Sequence, residues 1–71
     1  MKTYNATWTT SGTTGQFLGT NLKKVLADAK EIARGNRQQG NRAAWQISET
    51  NGGGTVKAGC ITEQGRNLNF K

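Results

Sequence analysis

The chain has 71 residues and a formal net charge of +6 at pH 7, from ten lysines and arginines against four acidic residues. It has no histidine and one cysteine, which rules out a histidine-based catalyst, a cysteine–histidine zinc site and a disulfide within the chain. No apolar run approaches the roughly 18 residues of a membrane span, and the first ten residues lack the apolar core of a signal peptide.

The N-terminal segment predicts a strand followed by a loop. Over residues 2–10, Tyr4, Ala6 and Trp8 alternate with polar residues, and the segment is rich in threonine and aromatic residues. Residues 11–15, with the sequence SGTTG, are typical of a turn or loop.

The clearest pattern in the chain is that of an amphipathic helix over about residues 20–34. Thr20 or Asn21 can supply the N-cap oxygen, and Gly35 followed by Asn36 predicts the end of the helix. The apolar residues recur at the spacing of one helical face, at Leu18, Leu22, Val25, Leu26, Ala29, Ile32 and Ala33.

A second strand is predicted after the polar segment 36–42, into which the helix could extend as far as Gln39. The odd-numbered residues over 43–47 are apolar and alternate with smaller or polar neighbours, which predicts a strand with one buried face. The glycine-rich segment 49–54 is typical of a hairpin loop.

A third strand over residues 55–62 has apolar residues on both faces. Burying the even-numbered face keeps Lys57 in water, so we favour that register. A tight turn at residues 63–66 and a last strand over 67–71 follow. The two alternative faces of the third strand are Val56, Ala58 and Cys60, and Lys57, Gly59 and Ile61.

The predicted order of elements is β-α-β-β-β. One amphipathic helix then covers one face of a small, mostly antiparallel sheet, in a two-layer α+β sandwich. We expect residues 1–71 to form a single domain of this kind. Only 11 of the 71 residues are Leu, Ile, Val or Phe, so the core is thin and association with another chain would help to stabilise it.

Positive charge is concentrated on one flank of the predicted helix and in the segment after it. The opposite flank is mixed, with Lys24, Asp28 and Glu31. Arginine offers a fixed fork of donors for phosphate oxygens, and amides bond phosphates, sugars or base edges. The candidate contacts are Lys23, Lys30, Arg34, Arg37 and Arg42, with Asn36, Gln38 and Asn41 between the arginines. The alternative is a basic helix face that serves solubility alone.

The predicted outer face of the sheet is a second candidate surface, because it is polar with two lysines and no acid. Such a face could enter a DNA major groove, although any antiparallel sheet with one solvated face has a similar pattern. Its members are Thr3, Asn5, Thr7, Gln46, Ser48, Lys57, Asn67, Asn69 and Lys71.

Other features favour structural roles. Trp8 and Trp45 lie on the face assigned to the core, so we expect packing rather than base stacking. Cys60 is expected to be a buried structural thiol. The glycine-rich segment 12–19 lacks the Gly-Lys-Ser/Thr ending of a phosphate loop. We expect no enzymatic activity, no catalytic or metal-binding residues and no cofactor.

Two hypotheses follow. In the first, the chain is a small nucleic-acid-binding module for DNA or RNA, whose helix flank and arginine segment neutralise phosphates, with Lys57 as a secondary contact. In the second, it is a protein-interaction or assembly module that pairs through an edge strand or as a homodimer. Both predict a cytoplasmic protein without a membrane partner. Small size and positive charge, without any motif, suggest a phage or other mobile-element gene.

Overall fold

The computed structural model describes residues 2–71. One helix packs on one face of an antiparallel sheet with the strand order β2-β1-β3-β4-β5. The predicted α+β class and two-layer arrangement are therefore confirmed. The elements are β1 (Tyr4–Thr10), β2 (Thr13–Gly19), α1 (Leu22–Asn36), β3 (Ala43–Glu49), β4 (Gly54–Ile61) and β5 (Asn67–Asn69).

The strand β2 is an addition to the predicted order, which becomes β-β-α-β-β-β. It forms a hairpin with β1 and pairs along its whole length, from Tyr4 opposite Gly19 to Thr10 opposite Thr13. The prediction of a loop over residues 11–15 was therefore wrong beyond the first two residues of that segment. The glycines and threonines that are typical of a loop belong here to an edge strand.

The helix begins where its capping residue predicts and ends two residues later than expected. The side chain of Asn21 accepts a hydrogen bond from the backbone N–H of Lys24 at 3.3 Å, so Asn21 is the N-cap. Gly35 is part of the helix, and the side-chain amide of Asn36 donates to the carbonyl of Ile32 at 2.9 Å. Gly35, which is only a moderate helix breaker, thus lies within the last turn of the helix.

The core lies between α1 and the central strands. The helix contributes small side chains to it, so its backbone can lie close to the sheet. It packs mainly on β1 and β3 and contacts β4 least. The helix-facing side of β5, and of β4 at Lys57, is left only partly covered. The buried cluster consists of Val25, Ala29 and Ala33 of α1 with Ala6, Ala43, Trp45, Ile47 and Ile61 of the sheet.

The two tryptophans are directly opposite each other on β1 and β3, and each indole lies over a glycine of the next strand outward. Trp8 lies over Gly15 of β2, and Trp45 lies over Gly59 of β4. A side chain at either glycine would collide with the indole, so these are close-packing positions. Trp45 is 3% exposed and Trp8 is half-buried, which confirms that both tryptophans pack in the core.

The face of β4 that lies toward the helix is not the one that the sequence favoured, but the opposite one. Side chains at cross-strand pairs lie on the same face of a sheet. The helix-facing pairs of β4 and β3 are Ile61 with Ala43, Gly59 with Trp45, and Lys57 with Ile47. The register then shifts, so Val56 is the extra residue of a bulge and packs against the core.

The predicted burial of the even-numbered face under the helix was therefore wrong. The physical reason is Trp45, because the strand position beneath its indole has room only for glycine, and Gly59 supplies it. Cys60 is still buried, as expected, but on the outer face, where it is paired with Ala44 on one side and Leu68 on the other.

This register also corrects the predicted outer face. Asn67 and Asn69 are paired with Ile61 and Gly59, so they belong to the helix side. By strand alternation the outer face carries no charged residue within the five strands that residues 2–71 form. Its members are Asn5, Thr7, Thr9, Thr14, Gln16, Leu18, Ala44, Gln46, Ser48, Thr55, Ala58, Cys60 and Leu68.

Over residues 2–71, the structure contains no helix with the length and apolarity needed to cross a membrane.

Candidate nucleic-acid interface

A groove of about 210 Å³ runs between α1 and the part of the sheet that the helix leaves uncovered. Two elements and the last residue of the chain bring lysines to it, and the apolar part of its lining comes from one helix side chain and one indole. We call it the lysine groove. It is lined by Leu26 and Lys30 of α1, Trp45 of β3, Lys57 of β4, Asn69 of β5 and Lys71.

Lys30 and Trp45 interact directly within the lysine groove. The Nζ atom of Lys30 lies over the indole, 5.4 Å from the ring centroid, which is within the range of a cation–π interaction. This contact holds the ammonium of a flexible side chain near one position. The buried Nε1 atom of Trp45 has no hydrogen-bond partner among residues 2–71.

The acidic side chains lie outside the lysine groove. Asp28 lines a separate cleft between α1 and β2, and Glu31 is exposed. Among residues 2–71, only two of the ten lysines and arginines form ion pairs. The pairs are Lys2 with Glu49 at 3.5 Å and Arg42 with Glu63 at 3.2 Å.

Two arginines predicted as phosphate contacts instead bind the turn between β4 and β5. Arg34 donates from Nη1 to the carbonyl of Gly65 at 3.2 Å. Arg37 donates from Nη1 to the carbonyls of Asn41 and Glu63, at 3.0 and 3.3 Å. These bonds join the end of α1 to a turn about thirty residues further along the chain. Arg34 is exposed and keeps donors free for a ligand, whereas Arg37 is half-buried.

The third arginine, Arg42, forms an exposed ion pair with Glu63. The pKa of Glu63 is lowered, first by the hydrogen bond from its own backbone N–H and then by the hydrogen bond and charge of Arg42. Arg42 therefore shares its donors with a carboxylate rather than presenting all of them to a phosphate.

The three predicted amides support the loop rather than projecting from it. Asn36 bonds to the helix backbone. The backbone N–H of Asn41 donates to the carbonyl of Gln38 at 2.9 Å, and their side-chain amides lie 3.5 Å apart. The side chains of these three amides thus bond within the chain, although Asn36 and Gln38 remain exposed.

The structure divides the predicted residues into two groups. It brings Lys30 and Lys57 together in the lysine groove, with Lys23 exposed two helical turns before Lys30 on the same flank. It places the remaining predicted residues at the end of α1 and in the segment after it, where the three arginines contact the turn between β4 and β5. That second group is Arg34, Asn36, Arg37, Gln38, Asn41 and Arg42.

Sequence reasoning missed the groove itself. It grouped Lys71 with Lys57, but on the outer face of the sheet and apart from Lys30. It also missed that Trp45, although buried, lies beneath Lys30. The signal that could have found the groove is Gly59, since a glycine opposite a tryptophan predicts close packing and thereby the register of β4.

Comparisons of this chain with protein-family models, with curated proteins and with solved structures found no match.

Proposed function

We propose that the chain is a small nucleic-acid-binding module that acts without catalysis and takes a phosphodiester backbone in the lysine groove. The observation that supports this most directly is the convergence of Lys30, Lys57 and Lys71, from separate parts of the chain, on one groove without an acidic side chain in its lining. A protein that neutralises phosphates with lysines releases counterions, which supplies most of the affinity for nucleic acid.

Each residue of the lysine groove has a separate role in this proposal. The three ammonium groups contact phosphate oxygens, and the amide of Asn69 bonds phosphate or sugar. Trp45 positions Lys30 through the contact with its ring. Lys23 and the free donors of Arg34 extend the positive edge along α1. We propose a cytoplasmic location together with this function, because the cytoplasm contains nucleic acid.

The proposal is tested by the salt dependence of binding. Anisotropy of a labelled oligonucleotide, measured at several salt concentrations, should give a logarithmic slope of about −2 to −3 for three phosphate contacts. The double variant Lys30→Gln/Lys57→Gln should weaken binding at low salt by about tenfold or more and make the slope shallower by about 1.4 to 1.8.

The matched control is Lys2→Gln/Lys24→Gln, which removes the same charge outside the groove. This variant should bind nearly as well as the unmodified chain, because Lys2 is paired with Glu49 and Lys24 lies on the mixed flank of α1. A slope near zero, or equal losses in the two double variants, would show that the groove is not the contact surface.

A second candidate function, assembly with a second copy of the chain, is favoured by the edge strand β2. This strand has seven residues with neither charge nor proline, and Leu18 at its end is 66% exposed. Natural edge strands are usually shortened, charged or bulged, which prevents pairing. The lysine groove lies toward the opposite edge, so pairing through β2 would leave it open.

Sedimentation equilibrium over a range of protein concentrations tests this assembly. A dimer should form as the concentration rises, and Gln16→Lys, at the centre of β2, should shift the population to monomer. Thr7→Lys adds the same charge to the outer face of the inner strand β1 and is the control. A chain that stays monomeric throughout contradicts assembly through β2.

A further inference from the structure

We infer that the outer face of the sheet is the contact surface of a homodimer, in which two copies of the chain pack sheet against sheet with their helices outward. The inference does not depend on the lysine groove, which stays open on the helix side of each copy. It uses the side chains of the face and therefore differs from pairing through the backbone edge of β2.

The large apolar side chains that the chain leaves exposed lie on the outer face. Over residues 2–71 they are Leu18, Leu68 and Phe70, and Phe70 is 67% exposed. Leu18 and Leu68 lie on this face by their cross-strand pairing. The backbone N–H of Phe70 donates to the carbonyl of Ala58 at 2.8 Å, which continues the register of β5 and places the ring on the same face. Apolar side chains gathered on one uncharged face indicate an interaction surface.

The apolar part of the face combines long and short side chains. Leu68 and Phe70 are long, whereas the neighbouring positions on β4 and β3 carry the short side chains of Ala58, Cys60 and Ala44. In a two-fold contact each surface meets its own copy, so a long side chain of one copy can fill the space above a short side chain of the other. The face is thus able to complement itself in shape.

Several polar side chains of the face are hydrogen-bonded within the protein. Gln46 donates to the hydroxyl of Thr55 at 2.7 Å, and the hydroxyl of Thr14 donates to the carbonyl of Trp8 at 2.9 Å. The hydroxyl oxygens of Thr9 and Thr14 lie 3.2 Å apart. Covering a polar group is costly when it loses its hydrogen bond to water without a replacement. These groups keep their partners when a second sheet covers them.

The lack of charge on the outer face favours a second copy of the chain as the occupant. Two copies that each carry +6 repel wherever their lysines and arginines meet. Across this face the two sheets would lie about 10 Å apart, which exceeds the Debye length of about 8 Å at physiological ionic strength. The charges on the helix sides lie further apart still. A nucleic acid, an anionic lipid surface or an acidic protein would meet no cation within the strands that residues 2–71 form on this face.

The area of the face is that of a weak dimer. The sheet has five strands, four of them with seven or eight residues. With strands about 4.8 Å apart and a rise of about 3.4 Å per residue, the face covers roughly 500 Å². Two copies then bury about 1,000 Å² in total, which is near the lower limit for a specific interface. We therefore expect a dimer that forms reversibly as the concentration rises.

Sedimentation equilibrium measures the association, and lysine substitutions locate it. Phe70→Lys removes an exposed ring from the face and adds a like charge, so it should weaken dimerisation by about tenfold or more. Thr7→Lys adds the charge on β1, next to the central strand, and should act in the same direction, whereas it is silent for pairing through β2. Ala27→Lys is the control, because it adds the same charge on the exposed side of α1 and should leave the dimer intact.

Circular dichroism shows whether each variant keeps the fold. A chain that stays monomeric up to about 1 mM overturns the inference. Dimerisation that Phe70→Lys leaves unchanged, or that Ala27→Lys weakens equally, also overturns it. In that case a loss with Gln16→Lys but not with Thr7→Lys assigns the contact to β2. Lys30→Gln/Lys57→Gln should leave dimerisation unchanged, so the outer face and the lysine groove are tested separately.

Discussion

Ile47→Ala should leave much of the protein unfolded at 25 °C. Ile47 is fully buried and is one of the two largest side chains that are completely enclosed. Truncating a buried isoleucine to alanine costs about 2–5 kcal/mol, because transfer free energy is lost and a cavity remains. A single core in a domain this small supplies roughly 3–5 kcal/mol of net stability. The substitution therefore removes most or all of the margin.

Urea unfolding followed by tryptophan fluorescence measures this loss, since Trp45 becomes exposed when the chain unfolds. Two variants give the scale. Ile47→Val should cost about 0.5–1.5 kcal/mol, and Leu18→Ala, at an exposed position, should change stability by less than about 0.5 kcal/mol. An Ile47→Ala protein with the unfolding midpoint of the unmodified chain would contradict the placement of Ile47 in the core.

Gly59→Ala should lower the free energy of unfolding by about 3 kcal/mol, at the upper end of the range for an overpacked interior. The added Cβ would collide with the backbone carbonyl oxygen of Leu68 on one side and with the indole of Trp45 on the other. The first belongs to β5 and the second is buried in the core, so relief requires a strand to move. The variant should also displace the indole that lies beneath Lys30.

Gly35→Ala is the matched control for the Gly59 substitution. Gly35 is exposed in α1 and an added Cβ would meet nothing within 4 Å. Alanine is the better helix former, so this variant should gain about 0.5–1 kcal/mol. Both are measured by urea unfolding followed by circular dichroism. A Gly59→Ala protein as stable as the unmodified chain would disprove the register of β3 and β4.

The elements that could be predicted from the sequence are those that bury one face and whose apolar residues recur at the regular spacing of a helix or a strand. In α1, the burial of Val25, Ala29 and Ala33 follows the spacing that predicted the helix. In β3, Ala43, Trp45 and Ile47 are buried at alternate positions. In both cases the residues within one short window carry the whole signal.

The strands β2 and β4 could not be predicted in the same way, because each contains a glycine whose role depends on a distant residue. Gly15 accommodates Trp8, and Gly59 accommodates Trp45. Read locally, Gly15 indicates a turn and Gly59 is neutral between two faces. The partner that explains each glycine lies on another strand, outside any local pattern.

The positive charge of the candidate site could be predicted from the sequence, but the groove that brings the charged residues together could not. The basic flank of α1 follows from helical spacing, and Lys30 and Lys57 were both named from the sequence. Their meeting in one groove depends on the register of β4. The bonds of Arg34 and Arg37 to the turn between β4 and β5 involve backbone carbonyls, which composition does not reveal.

The strand β5, which forms one side of the lysine groove, is short. Its three residues are all exposed, and Leu68 adds only a partly covered side chain, so little apolar burial holds this strand against β4. Segments with so few buried contacts open locally at low free energy, well before the whole domain unfolds. A ligand that engages Lys30 and Asn69 together would bridge α1 and β5. Binding of such a ligand would then favour the closed state of β5, and opening of β5 would weaken binding of the ligand.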